Sequence, residues 1–263
     1  MKAVGKYITV LRISLQNAFV YRSNVLGGFV FYIMFMFVFF NLWRAIYKSG
    51  EVAGYSLVQM VWYLCMTELI MFGCRTGVFF QMNEDVKSGS IAYQLNRPYH
   101  YVLYQFFNAL GGMIFNLLLY GLMAIVIGMI MVGPIPGFSF STLPYSLISI
   151  VLGMCINFFF LMALGLTAFR LEDNTAFYLI YQKLVFMLGM FIPVEFLPGW
   201  LQTITRYLPF SYMTWAPARL IVAFSWELFW AVVPVQLLWL TVSFVLTMGM
   251  YRYGVAGIQA HGG

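Results

Sequence analysis

Long apolar runs alternate with short polar breaks along this chain, and the runs have the length of membrane spans. Val25–Trp43 carries no charge over 19 residues. That is enough to cross a hydrocarbon core of about 30 Å at about 1.5 Å per residue. Tyr55–Phe80, Val102–Val132, Tyr145–Phe169, Thr175–Ile192 and Leu228–Met250 repeat the pattern. The pattern predicts an all-α, polytopic membrane protein with six transmembrane helices. Residues 1–263 read as one transmembrane domain with no boundary and no internal repeat.

Three segments break the rhythm. Met1–Tyr21 places Tyr7, Val10, Leu11, Leu15 and Ala18 on one helical face, with Lys6, Thr9, Arg12 and Gln16 away from it. Such a basic amphipathic helix suits the headgroup plane (residues 1–21 as an interfacial helix); a plain tail is the other reading. Gln81–Tyr99, QMNEDVKSGSIAYQLNRPY, is the one long polar stretch between two apolar runs. Asn83 can cap a short helix, Glu84 and Asp85 suit its first turn, and Ser88-Gly89 can end it. Ile91 and Leu95 then share one side of a second turn, which Arg97-Pro98 stops. The stretch reads either as a docking element or as a solvated loop, and it is longer than a plain loop needs to be. Pro193–Trp226 holds four prolines and three tryptophans, with two short helical patterns at Leu197–Tyr207 and Met213–Ala223. Neither pattern can cross. A broken pair that dips into the membrane and returns fits this composition, with an ordinary external loop as the alternative. Between the fourth and fifth spans, Asp173 or Asn174 can cap the next helix.

Composition agrees with a lipid setting. The chain is 63% hydrophobic and 8% charged, against about 25% charged in soluble domains. Its net charge of +6 does not point to nucleic acid, because Lys and Arg are scattered near the ends of apolar runs. They read as topology instead. Lys2, Lys6, Arg12, Arg22, Arg75, Lys87, Arg97, Arg170 and Arg252 fall on one side, and Arg44, Lys48, Arg206 and Arg219 on the other. The positive-inside rule then makes both termini and residues 81–99 cytoplasmic, and residues 193–226 external. No cleavable signal is expected at the N-terminus.

Chemistry is sparse. Cys65, Cys74 and Cys155 lie in or beside apolar runs without CxxC spacing and read as inert buried thiols. His100 and His261 belong to no metal motif. No GxSxG and no GxxxxGK[ST] occurs, so neither serine chemistry nor nucleotide binding is expected of this chain. Glu68 and Lys183 are ionisable groups within spans, of opposite sign. Such groups face a partner or a watery path, so both are candidates for a translocation path; snorkelling to the interface is the alternative. Glu195, Arg206, Arg219 and Glu227 read as headgroup anchors or gate contacts.

The order of segments resembles the permease subunit of ABC-2 type ATP-binding cassette transporters. Two stretches carry the likeness: EDVKSGSIAYQLNRP at Glu84–Pro98 and IPVEFLPGWLQTITRYLPFSYMTWAPARL at Ile192–Leu220. The first is similar to the coupling-helix region and the second to the segment between the fifth and sixth spans, with its P-x-x-x-L-P-x-W entry and L-P-F middle. In detail the chain looks closest to a six-span bacterial branch whose permeases are often encoded in pairs. The resemblance implies an exporter half-channel in the bacterial inner membrane. Two cytoplasmic ATPase subunits would power it and hold the ATP and magnesium; a second permease, identical or paralogous, would complete the path. No cofactor is expected on this chain. By the same resemblance Glu84, Asp85, Lys87, Ser88 and Gly89 would dock in the ATPase, and Ile91, Leu95 and Arg97 would brace the next helix. Pro198, Trp200, Pro209 and Phe210 would contribute to an outer gate. A scaffold that anchors a cytoplasmic protein and an ATP-independent secondary carrier are the competing functions.

Overall fold

The fold follows from where the apolar runs are interrupted and what closes each interruption. The computed structural model describes residues 2–20, 26–48 and 54–261. Met1, Tyr21, Arg22, Val25 and residues 49–53 lie outside them, as does the side chain of Lys2. Every regular element among the described residues is helical. The α-helices in order are α1 (Lys2–Val20), α2 (Leu26–Lys48), α3 (Leu57–Gly73), α4 (Val78–Lys87), α5 (Ser90–Leu95) and α6 (Tyr101–Val132). Then come α7 (Leu143–Leu166), α8 (Thr175–Val185), α9 (Gly199–Tyr207), α10 (Pro209–Met213), α11 (Trp215–Val222) and α12 (Trp226–His261).

Five helical stretches have the length and apolarity to cross a membrane: Gly27–Lys48, Leu57–Lys87, Tyr101–Val132, Leu143–Phe169 and Trp226–Ala256. The sequence predicts a further span over Thr175–Ile192. There the structure has a shorter apolar helix of 17 residues, Thr175–Phe191, whose last turns, Phe186–Phe191, are π-helical. Ile192 ends it with an extended backbone at φ −134°, ψ 134°. Pro193 explains that conformation, since it disfavours the α region for the residue before it.

The second predicted span is interrupted. α3 stops at Gly73, residues 74–77 form a break, and α4 restarts at Val78. The helix of the polar stretch therefore starts five residues before Asn83. Asn83 does not cap it: its amide donates to the Phe79 carbonyl at 3.0 Å from inside α4. The end of α4 is as the sequence suggests. Ser88 follows Lys87, and Gly89 takes the left-handed conformation at φ 75°, which any side chain would strain. α3 begins with a reciprocal cap, in which Ser56 Oγ accepts from the Gln59 amide and Gln59 Oε1 from the Ser56 amide. Asp173, rather than Asn174, caps α8, with Oδ1 accepting from the Thr175 amide at 2.9 Å. Those Thr175 bonds hold the Asp173 carboxyl below its usual range. Asn174 is buried and donates instead to the Leu164 carbonyl and Thr167 Oγ1.

Pairings between helices define two ends. At one, Lys6 Nζ donates to the Pro98 carbonyl, Tyr101 stacks near Tyr251, and Gly254 meets Phe169. At the other, Trp62 donates to the Gly133 carbonyl and Tyr47 to the Tyr55 carbonyl. α4 and α5 belong to the first end; α9 and the start of α12 belong to the second. α1 does not stand free of the bundle. Tyr7 stacks on Phe107, Ser14 donates to the Asn108 carbonyl, and Phe19 meets Phe115 edge-on, so α1 runs alongside the first half of α6. Tyr7, Val10, Leu11, Leu15 and Ala18 are half-buried, as is Ser14, and Lys6, Thr9, Arg12 and Gln16 are exposed. Of the α6 glycines, Gly111 receives α1 at Ser14 and Leu15, and Gly128 receives Trp62; a Cβ at Gly112 would meet none of the described residues within 4 Å.

Candidate functional site

Three sites carry the polar chemistry of the described residues. The first is the α4–α5 hairpin. Its exposed rim holds Glu84, Lys87, Ser88, Gly89 and Arg97. Asp85, expected on that rim, is turned inward instead. It is 4% exposed, and both its oxygens are taken up by this chain. Oδ1 accepts from Gln81 Nε2 at 3.1 Å and Ser90 Oγ at 3.0 Å; Oδ2 accepts from the Tyr101 hydroxyl and, at 3.4 Å, from Gln105 Nε2. A buried carboxylate is stable only when so satisfied. Asp85 therefore ties the hairpin to the first turn of α6. Ile91 is buried in the core and Leu95 is half-buried against it. The Arg97 guanidinium covers the Tyr93 ring at 5.0 Å and donates to Tyr99, which donates on to Gln94 at 2.6 Å. The hairpin is thus cross-braced, with an exposed outer edge. The Gln81–Asp85 pair has helical spacing and was readable in advance; the partners Tyr101 and Gln105 lie across a loop and were not.

The second site is a cavity of about 470 Å³ between α2, α3, α7 and α8. It brings Glu68 and Lys183 together, with Arg75 as a third charge. Phe31, Phe35, Phe72 and Phe186 supply aromatic walls. Glu68 is 1% exposed, and its Oε1 has no hydrogen-bond partner among the described residues. Lys183 and Arg75 are exposed. The one ion pair among the described residues is Glu195–Arg219, so Glu68 and Lys183 share the cavity without pairing.

The third site is the broken segment at the far end. Val194–Phe196, α9, α10 and α11 form short helical pieces, and α10 and α11 are largely buried. Ser146, near the start of α7, donates to the Leu220 carbonyl, while Gly153 lies against Met213. The tip at Met213-Thr214 therefore sits about 10 Å further along α7 than Leu220 does, at 1.5 Å per residue. Gln236 of α12 holds it there, donating to the Tyr212 and Ser149 carbonyls and accepting from Ser149 Oγ. Pro209 is buried and Phe210 half-buried among these helices; Trp200 on α9 and Pro198 just before it are exposed. Arg219 Nε lies 3.3 Å from Glu195 Oε1, its guanidinium covers the Tyr55 ring at 4.4 Å, and Trp215 donates to Glu195 Oε2 at 3.0 Å.

Glu195→Ala strands a partly buried Arg219, whose Nη1 already lacks a partner, so a melting temperature lower by a few degrees is expected. Arg219→Gln made in the same chain should recover part of that loss, because the unpaired charge is gone. Strictly additive losses in the double variant would show that the pair contributes no coupling.

No curated protein matches the chain. A family model does, and it is the ABC-2 family transporter protein, matched over residues 29–262. That stretch takes in the α4–α5 hairpin, the charged cavity and the broken segment, and the chain belongs to the ABC-2 transporter family.

Proposed function

We propose that this permease is half of an ABC exporter, driven by separate cytoplasmic ATPase subunits that dock on the α4–α5 hairpin. One observation carries the reading: an exposed polar edge, Glu84 to Ser88, is wired through buried Asp85 to the start of α6. A push on the edge is then delivered to a 32-residue helix rather than lost in a loop. The Arg170–Asn174 link lies at the same end, since the Thr167–Phe169 turn that precedes it packs against α4.

In this reading Thr175–Phe191 is the sixth crossing, with its π-helical end covered by α10 and α11. Its 17 residues are at the lower bound for a span. The termini and the hairpin are cytoplasmic by the positive-inside count, in a bacterial inner membrane. Two such permeases flank the path, ATP and magnesium belong to the two ATPase subunits, and this chain holds no cofactor. Glu68 and Lys183 line the path, and the broken segment closes its outer end.

The test is Glu84→Lys combined with Lys87→Glu, both exposed. Co-expressed ABC ATPase should co-purify at roughly a tenth of the wild-type yield, the loss of one or two charge-assisted contacts. The melting temperature should not move. Wild-type recovery of the ATPase from the charge-swapped permease would rule the hairpin out as the docking site.

A further inference from the structure

The cavity between α2, α3, α7 and α8 has an ordered polarity. At its core is Glu68, a carboxylate in an apolar helix with a buried oxygen that none of the described residues satisfies. A buried acceptor left unmatched is destabilising, so its natural complement is a donor or a cation from elsewhere. Phe35, Phe72 and Phe186 surround the same space, and aromatic faces favour an ammonium further. Arg75 follows in the break just past the end of α3, and Lys183 joins it from α8. A lone anion would meet Glu68, and a lone cation would meet Arg75 and Lys183. Only a molecule with both charges on an apolar body satisfies every group.

We propose that this cavity binds a zwitterionic amphiphile, with an ammonium on Glu68, an acid group (phosphate or carboxylate) on Arg75 and Lys183, and an apolar body against the phenylalanines. The assignment rests on the reading of the cavity as part of the path, and it adds the class of cargo. The Glu68 carboxylate acts as acceptor and counter-charge; the two cations act as a pair of donors at the other end.

The test uses the full-length permease in phosphatidylglycerol nanodiscs, which contain no zwitterion, and three C12 probes: radiolabelled dodecylphosphocholine, dodecyltrimethylammonium and dodecyl phosphate. After subtraction of empty nanodiscs, dodecylphosphocholine should bind at least about tenfold more tightly than the other two, the worth of one charge-assisted contact. Glu68→Gln should weaken dodecylphosphocholine and dodecyltrimethylammonium about tenfold and leave or improve dodecyl phosphate. Arg75→Gln with Lys183→Gln should do the reverse for the two single charges. Equal binding of all three probes, or indifference of the zwitterion to both sets of variants, overturns the proposal. If Glu68→Gln does not elute as a folded species, the exposed Arg75 and Lys183 positions carry the test. The assay contains no ATPase. Failure of zwitterion binding with normal ATPase capture by the wild-type permease therefore removes the cargo assignment alone, and failure of the wild-type permease to capture an ATPase with retained zwitterion binding removes the exporter reading alone.

Discussion

Asp85→Ala is expected to lower the melting temperature of the permease by roughly 6–12 °C in detergent, while Glu84→Ala, its neighbour, leaves it within about a degree. The two carboxylates are adjacent in sequence and opposite in situation. Glu84 is exposed, and exposed substitutions usually stay within about 0.5 kcal/mol. Asp85 is the common acceptor of Gln81, Ser90, Tyr101 and Gln105. Removing it leaves the buried Tyr101 hydroxyl without its acceptor and takes acceptors from buried Gln105 and half-buried Ser90, at about 1–3 kcal/mol for a group that finds no water. A loss on the order of 3 kcal/mol corresponds to the stated shift at about 2–4 °C per kcal/mol for a chain of this size. Asp85→Asn keeps one acceptor oxygen and should fall between. Fluorescence-detected size-exclusion thermal curves of the three variants decide the matter. Equal curves for Asp85→Ala and Glu84→Ala would mean that the hairpin is not wired to α6 as described.

The consequence reaches function through stability rather than contact. Asp85→Ala should also lower ATPase capture, but in proportion to the loss of folded hairpin. The Glu84 and Lys87 swap should lower capture with the fold intact. Measuring both properties on both variants separates a docking side chain from one that holds the docking element in place.

How far the sequence reveals this fold depends on which physical signal marks each part. The apolar runs at α6, α7 and α12 are legible because lipid burial demands a long run and nothing else competes. The left-handed Gly89 and the extended Ile192 before Pro193 are legible because both are local backbone constraints. The inward turn of Asp85 is not. Its charge suits an exposed helix start, and only the distant Tyr101 and Gln105 explain why it is buried. Likewise α1 shows its apolar face in its spacing, but the spacing cannot say that α6 receives it. Glu68 and Lys183 declare themselves as costly groups in apolar helices. Their sharing of one cavity with Arg75 is a product of tertiary packing.

The same limit applies to the broken segment, whose glycine partners sit on other helices. Gly153→Val should drive the α10–α11 tip out of its seat. A Cβ at Gly153 would stand 2.8 Å from the Met213 carbonyl oxygen and 3.2 Å from its Cα, both backbone atoms that cannot swing aside. A Cβ at Gly189 would stand 2.5 Å from the Phe210 carbonyl oxygen and would strike Thr214 Oγ1. Two glycines from two elements thus make one socket for one tip. Overpacking of this kind costs about 1–3 kcal/mol, and here it also pulls the Tyr212 carbonyl from Gln236, which holds it at 2.8 Å. Gly153→Val is expected to lower the melting temperature and to expose Thr214→Cys, buried in the parent, to a membrane-impermeant maleimide. Gly112→Ala serves as the control, because nothing lies within 4 Å of that position; it should match the parent or exceed it by up to about 1 kcal/mol through helix propensity. Once the tip is displaced, a second obstruction has little left to displace, so Gly153→Val with Gly189→Ala should lose less than the sum of the two. Full additivity, or unchanged labelling at Thr214→Cys, would mean that the two glycines do not seat a common tip.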